Sequence, residues 1–153
     1  DGISYAKRYD PSLVMTVATL TGSALGALGQ QASALFSRDE KITQSLKDIG
    51  EKSGDYMWPL PMWEEYEELV KGTFGDVANE TVTGNKRYAG AISGAMFLWE
   101  FAKELPGPFV HVDMAPRMTS TSTEYLAKGA AGAPLRFLLK VATSWKKQHT
   151  PSR

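Results

Sequence analysis

The residues with the most chemical potential are His111 and Asp113, two positions apart in Phe109-Val110-His111-Val112-Asp113-Met114. In an extended chain that spacing places both on one face, as a metal pair or a base with its orienter. A catalytic metal needs at least three protein ligands, and the other histidine, His149, lies in the tail. A hydrogen-bonded structural His–Asp pair is the plainer expectation. Thr21-Gly22-Ser23-Ala24-Leu25-Gly26-Ala27-Leu28-Gly29 offers a second chemistry, since glycines after a strand let a phosphate approach backbone amides at a helix start. Its spacing fits neither dinucleotide nor P-loop patterns, which leaves a strand-to-helix turn, either plain or with exposed backbone serving a peptide-like ligand.

Other candidates are weaker. Ser93, within Gly90-Ala91-Ile92-Ser93-Gly94, falls mid-helix rather than on a nucleophile elbow and reads as a packing residue. Glu64, Glu65, Glu67 and Glu68 could hold a hard cation, but on a short helix they point in several directions and read as a solvated face. With 0 cysteines the chain has no disulfide, thiolate nucleophile or Cys-based metal site.

Alternating helix and strand patterns must carry these residues. Leu13 to Leu20 is a near-continuous apolar run rich in β-branched residues, the pattern of a central strand covered on both faces. Ile3 to Tyr9 reads as the last turns of a helix closed by Asp10-Pro11, Ser23 to Leu28 as a short helix, and Ala32 to Phe36 as a second strand. Ser37 begins a capping box with Glu40, predicting a helix over 39–52 stopped by Gly54, with Ile42, Leu46 and Ile49 as its core stripe. Trp58 to Pro61 is extended, Trp63 to Lys71 a short acidic helix, and 75–87 an irregular excursion turning at Asn79, Gly84 and Asn85.

The spacing predicts the longest helix over 88–103, where Gly90, Ala91, Gly94 and Ala95 admit a close backbone, stopped by Leu105-Pro106-Gly107-Pro108. Phe109 to Met114 is the third strand and Pro134 to Lys147 the final helix, with Lys146 to His149 as its solvated end. The sequence is therefore that of an α/β protein.

The 153 residues suit one domain, and 42% hydrophobic content argues against disorder. Seventeen Lys+Arg against 17 Asp+Glu give a net charge of +0, although the first half is acid-rich and the second base-rich. Halves of opposite sign neutralise each other or neighbouring chains more readily than they bind a polyanion, so no nucleic-acid partner is expected. The charge-free stretch from Ser12 to Ser37 is too broken by polar residues and glycines for a membrane span, so no membrane partner is expected either. No targeting segment is visible, and the opening Asp1-Gly2-Ile3 reads as a cut.

Five motifs in order then resemble the leucyl (cytosol) aminopeptidase family. They are Val17-Ala18-Thr19-Leu20-Thr21-Gly22; Trp58-Pro59-Leu60-Pro61-Met62-Trp63-Glu64-Glu65-Tyr66; Ala89-Gly90-Ala91-Ile92 with Phe97-Leu98-Trp99-Glu100-Phe101; His111-Val112-Asp113-Met114-Ala115; and Lys128-Gly129-Ala130-Ala131-Gly132 with Arg136. The resemblance implies the C-terminal portion, residues 1–153, of a three-layer catalytic domain with a central mixed, largely parallel sheet flanked by helices. It implies a cytoplasmic hexamer that removes N-terminal, leucine-like residues from peptides using two divalent metal ions, zinc or manganese.

In the family the metal-ligand segment N-T-D-A-E-G-R lies just before the position matched by Ile3, and a separate N-terminal domain precedes the catalytic one. The resemblance therefore implies that this chain binds no metal alone, holds no catalytic residue, and has the remainder of its own subunit as a partner. Of the family's substrate-facing positions, Thr19, Leu20 and Gly22 match backbone groups that hold the peptide's amino end, and Ala115 and Met118 match walls of the first side-chain pocket.

Two departures stand out: Pro116 replaces the family's usual Gly, and the Asn79 to Tyr88 segment is longer. Pro116 also motivates an alternative, a non-catalytic family member kept as a structural or assembly component. A nucleotide-binding α/β domain is a third reading.

Overall fold

The computed structural model describes residues 1–80 and 88–145. The turns expected at Gly84 and Asn85, and the helix end at Lys146 to His149, lie outside the described residues. The chain opens with α1 (Gly2–Ala6) and a 3-10 turn (Lys7–Tyr9), which stops where Asp10 enters the left-handed region at φ 46° before Pro11.

Four strands form one sheet: β1 (Val14–Ala18), β2 (Ser33–Phe36), β3 (Met57–Pro59) and β4 (Phe109–Asp113), in the order β1-β4-β2-β3. β1 runs parallel to β4 from Val14 opposite Phe109 to Ala18 opposite Asp113. β2 is antiparallel to β4, with Phe36 opposite His111, and parallel to β3. The sheet is mixed and mostly parallel, as the sequence led us to expect. The central strand is a correction. β1 ends the order among the described strands and is only partly buried, whereas β4 is buried at every residue. An apolar run marks a strand but does not say how many neighbours it has.

Alternation along the strands sends side chains to two cores. On one face Ala34 and Phe36 pack with Ala24 of α2 (Gly22–Leu28) and with Ala91, Ala95 and Met96 of α4 (Gly90–Glu100). On the other, Leu35, Met57, Val110 and Val112 pack with Leu46 of α3 (Glu40–Ser53) and with Phe137 and Val141 of α5 (Leu135–Ser144). This is the expected three-layer arrangement.

Local chemistry moved several expected boundaries. Asp39, not Ser37, caps α3, its Oδ1 accepting from the Ile42 amide at 3.0 Å, while Ser37 Oγ takes the Asp39 amide. α3, at 14 residues, is longer than α4 at 11, because Phe101 to Glu104 leave the helix in turns. Glu64–Val70 is a 3-10 helix.

α5 has no cap from its own first residues. Instead the buried Asp55 carboxylate accepts from the Phe137 amide at 3.0 Å and from Arg136 Nη2 at 2.9 Å, tying the end of α3 to the start of α5. Asp55→Ala is expected to lower stability by about 2 kcal/mol by leaving that amide unpaired. The comparison of midpoints in urea checks it, and unchanged midpoints would overturn it.

Candidate functional site

The parallel pair β1–β4 ends level, with the Met114 amide donating to the Ala18 carbonyl at 2.8 Å. Beyond that level the two chains diverge. β1 continues through Thr19 and Leu20 into α2, and β4 continues into a 3-10 turn (Ala115–Arg117). Ligands of open α/β sheets bind outside the carboxyl ends of strands, and this end collects all five residues singled out from the sequence.

Thr19 and Gly22 are exposed, and Leu20 is 43% exposed. Ala115 is buried, and Met118, whose amide lies 3.5 Å from the Ala115 carbonyl, is 47% exposed. Pro116 is buried within the 3-10 turn, where its missing N–H matters least. An open groove of about 910 Å3, between the start of α3 and Pro59 to Glu65, is lined by none of these five.

Asp113, buried at the end of β4, accepts four hydrogen bonds. Its Oδ1 takes the Leu20 and Ala115 amides, each at 3.1 Å, and its Oδ2 takes the Thr21 amide at 3.0 Å and the Thr21 hydroxyl at 2.7 Å. Thr21 Oγ1 in turn accepts from the Ala24 amide at 3.1 Å and so caps α2. The two walls are thus held by one carboxylate. Among the described residues no hydrogen bond occupies the Leu20 carbonyl or the Gly22 amide.

The glycines of α4 hold the turn from behind. A Cβ at Gly94 would sit 3.0 Å from Thr21 Cγ2 and 3.1 Å from Leu20 Cδ2, and one at Gly90 would collide with Ser23. The close approach read from the small residues of this helix is therefore made to the Leu20–Ser23 turn. Ser93 stays within the helix, its hydroxyl donating to the Gly90 carbonyl at 3.0 Å. A Cβ at Gly22 would meet nothing within 4 Å among the described residues, so this glycine leaves its backbone face open.

The expected His–Asp hydrogen bond is not made. His111 Nδ1 lies 2.9 Å from Thr16 Oγ1, the ring stacks on Phe36 with centroids 5.7 Å apart, and the buried Nε2 has no partner. Burial pushes the imidazole down to about 4, partly opposed by the Asp113 charge. No group of three His, Cys, Asp or Glu that could hold a metal ion occurs among the described residues. The acidic helix is mostly solvated, with Glu67 paired to Arg38 and Glu68 to Lys71.

The sequence offers Asp113 as a metal ligand, as the orienter of a base or as the structural partner of His111, and does not show its role as anchor for the turn. The available signal was a polar residue ending an apolar strand, but three of its four donors lie more than 90 residues away.

The profile of the cytosol aminopeptidase family, catalytic domain, matches residues 1–139, and the chain belongs to that family of peptidases. A probable cytosol aminopeptidase of Roseiflexus castenholzii is 40% identical over 147 residues, covering 95% of this chain and 29% of that protein. One of Acinetobacter baylyi is 41% identical over 140 residues, covering 92% and 27%. The solved structure of a mutant tomato leucine aminopeptidase superposes with a TM-score of 0.79 at 31% identity, over 92% of this chain and 26% of that one. The chain thus spans under a third of the length of these relatives. No helix among the described residues is long and apolar enough to cross a membrane.

Two outcomes test this arrangement. Glycine to alanine in a helix interior ordinarily adds about 1 kcal/mol. Gly94→Ala is expected to add nothing, because the new methyl presses on Leu20 and Thr21, and a clear rise in melting temperature would overturn this. His111 is held neutral when folded, so the unfolded chain binds the extra proton between its ordinary value of 6.5 and about 4. Stability is therefore expected to fall by about 2 kcal/mol on acidification from pH 7 to pH 5. His111→Gln should abolish that part of the pH dependence, as read by denaturant unfolding at the two pH values.

Proposed function

We propose that this chain is part of a metal-dependent aminopeptidase subunit that removes N-terminal, leucine-like residues from peptides, and that it supplies backbone of the substrate pocket. The observation that carries the reading is the open turn at Leu20 to Gly22 beside the Ala115 and Met118 wall, both beyond the carboxyl ends of β1 and β4. An unengaged carbonyl at Leu20 and amide at Gly22 supply an acceptor and a donor suited to the amino end of a peptide and to a developing oxyanion. Thr19 borders the amino end, Ala115 backs the wall from within, and the half-exposed Met118 offers apolar surface to the first side chain. Fixing the substrate against this surface lowers the entropic part of the barrier.

The two zinc or manganese ions implied by the family resemblance do not fit donors of this region. His111 is buried against Thr16 and Phe36, and all four hydrogen bonds to Asp113 come from the turn, its hydroxyl and Ala115. We place the metals with other residues of the complete subunit and derive no step through them here. The same reading makes the protein a cytoplasmic homo-oligomer, a hexamer, in which this chain contributes intersubunit contacts. The partly buried β1, at the end of the described sheet, suits pairing with the remainder of the subunit.

A structural or assembly role without catalysis is the second reading, favoured by Pro116, which fixes the 3-10 turn next to the pocket wall. Assay of the complete polypeptide on a leucyl anilide separates the two. Turnover that requires Mn2+ or Zn2+ and is lost on chelation is expected. Its absence in metal-loaded protein favours the scaffold, and metal-dependent turnover by the 153-residue chain alone would overturn the division of labour proposed here.

A further inference from the structure

One carboxylate touches both halves of the candidate pocket. Asp113 Oδ1 binds the Leu20 amide on one wall and the Ala115 amide on the other at equal distance, 3.1 Å, and Oδ2 takes the Thr21 amide and hydroxyl. We propose that Asp113 is a positioning residue, tying the Leu20–Gly22 turn and the Ala115 wall to the end of β4 as one rigid unit that presents backbone groups to the first residue of a peptide. The inference rests on the aminopeptidase reading and adds to it the group that sets the distance between the amino-end contacts and the side-chain wall.

Three features support it. Asp113 is fully buried, so its carboxylate is solvated by these donors alone and each is needed to offset the loss of water. Its partners are three amides and a hydroxyl, fixed dipoles that hold a geometry more narrowly than a mobile charged side chain. The turn has nowhere to retreat, because α4 meets it closely at Gly94 on the far side. The Leu20 and Thr21 amides point to Asp113, which turns the Leu20 carbonyl, in the same trans peptide plane as the Thr21 N–H, away from that carboxylate.

Asn cannot replace Asp113 silently. Whichever way its amide is turned, an NH2 group faces at least one backbone N–H, which is left without an acceptor. Thr21→Val removes the hydroxyl donor together with the cap it gives the Ala24 amide, keeps all three amides to Asp113, and is the milder test should Asp113→Asn impair folding.

The experiment uses the complete polypeptide with Mn2+, measuring kcat and KM for leucyl and alanyl anilides and hydrogen exchange at the Leu20, Thr21 and Ala115 amides. For Asp113→Asn the expected result is a fall of about 100-fold in kcat/KM, the scale of losing one preorganised donor to an oxyanion. Exchange should be faster at all three amides, and the preference for leucyl over alanyl substrate should shrink. Thr21→Val should show a smaller loss of the same kind, and Thr21→Ser should recover most of it.

A purely structural role would lower the melting temperature and leave the leucyl-to-alanyl preference intact. That outcome, or variants with unchanged kcat/KM, overturns the inference while leaving the aminopeptidase reading standing. No turnover by the wild-type protein overturns both.

Discussion

A buried carboxylate must replace the water it has lost, and the way Asp113 does so organises the end of the sheet around it. Its four donors come from two segments that are far apart in the chain and adjacent in space, the exit from β1 and the exit from β4. Meeting that electrostatic demand fixes the backbone of both exits. The Thr21 hydroxyl extends the network by one link, donating to Asp113 and accepting from the Ala24 amide, so the N-terminus of α2 is aligned with the same point.

The layers behind this point have complementary tasks. α4 packs its small residues against the turn and leaves no slack, and its Ala91, Ala95 and Met96 continue into the core shared with Phe36. On the opposite face, α3 and α5 pack on Leu35, Val110 and Val112 and back β4 from the other side of the sheet. His111 belongs to this support. It fills the space against Phe36 and Thr16 as a neutral ring, a polar residue kept in an apolar role.

Much of this was legible in the residues. Apolar runs marked β1, β2 and β4, the four-and-three spacing of Ile42, Leu46 and Ile49 marked α3, and Thr21-Gly22 marked a turn into α2. The motifs that resemble the cytosol aminopeptidases led to the right family. What stayed hidden was relational. Leu13 to Leu20 looks central because its composition is central, yet strand order is decided by which distant segment pairs with it. His111 and Asp113 share a face, and face alone suggested a bond between them. Their partners, Thr16 and the Leu20–Thr21 amides, are brought in by the β1–β4 register. Asp39 outcompeted Ser37 as a cap because the helix begins at Glu40, a boundary set by backbone geometry more than by motif.

The sheet order also sets which pairings are local and which are long-range. Among the described strands β4 comes last in sequence and lies between β1 and β2, so the two earlier strands are joined only through residues 109–113. The parallel β2–β3 pair is local, whereas β1 and the other flank of β2 meet only across β4, beyond the whole excursion of α4. Contacts between residues more than 90 positions apart are the costly ones in loop-closure entropy, and here they are also the ones that create the turn and its anchor. The region of this chain read as functional is thus the part that depends on the longest-range pairing in the described sheet.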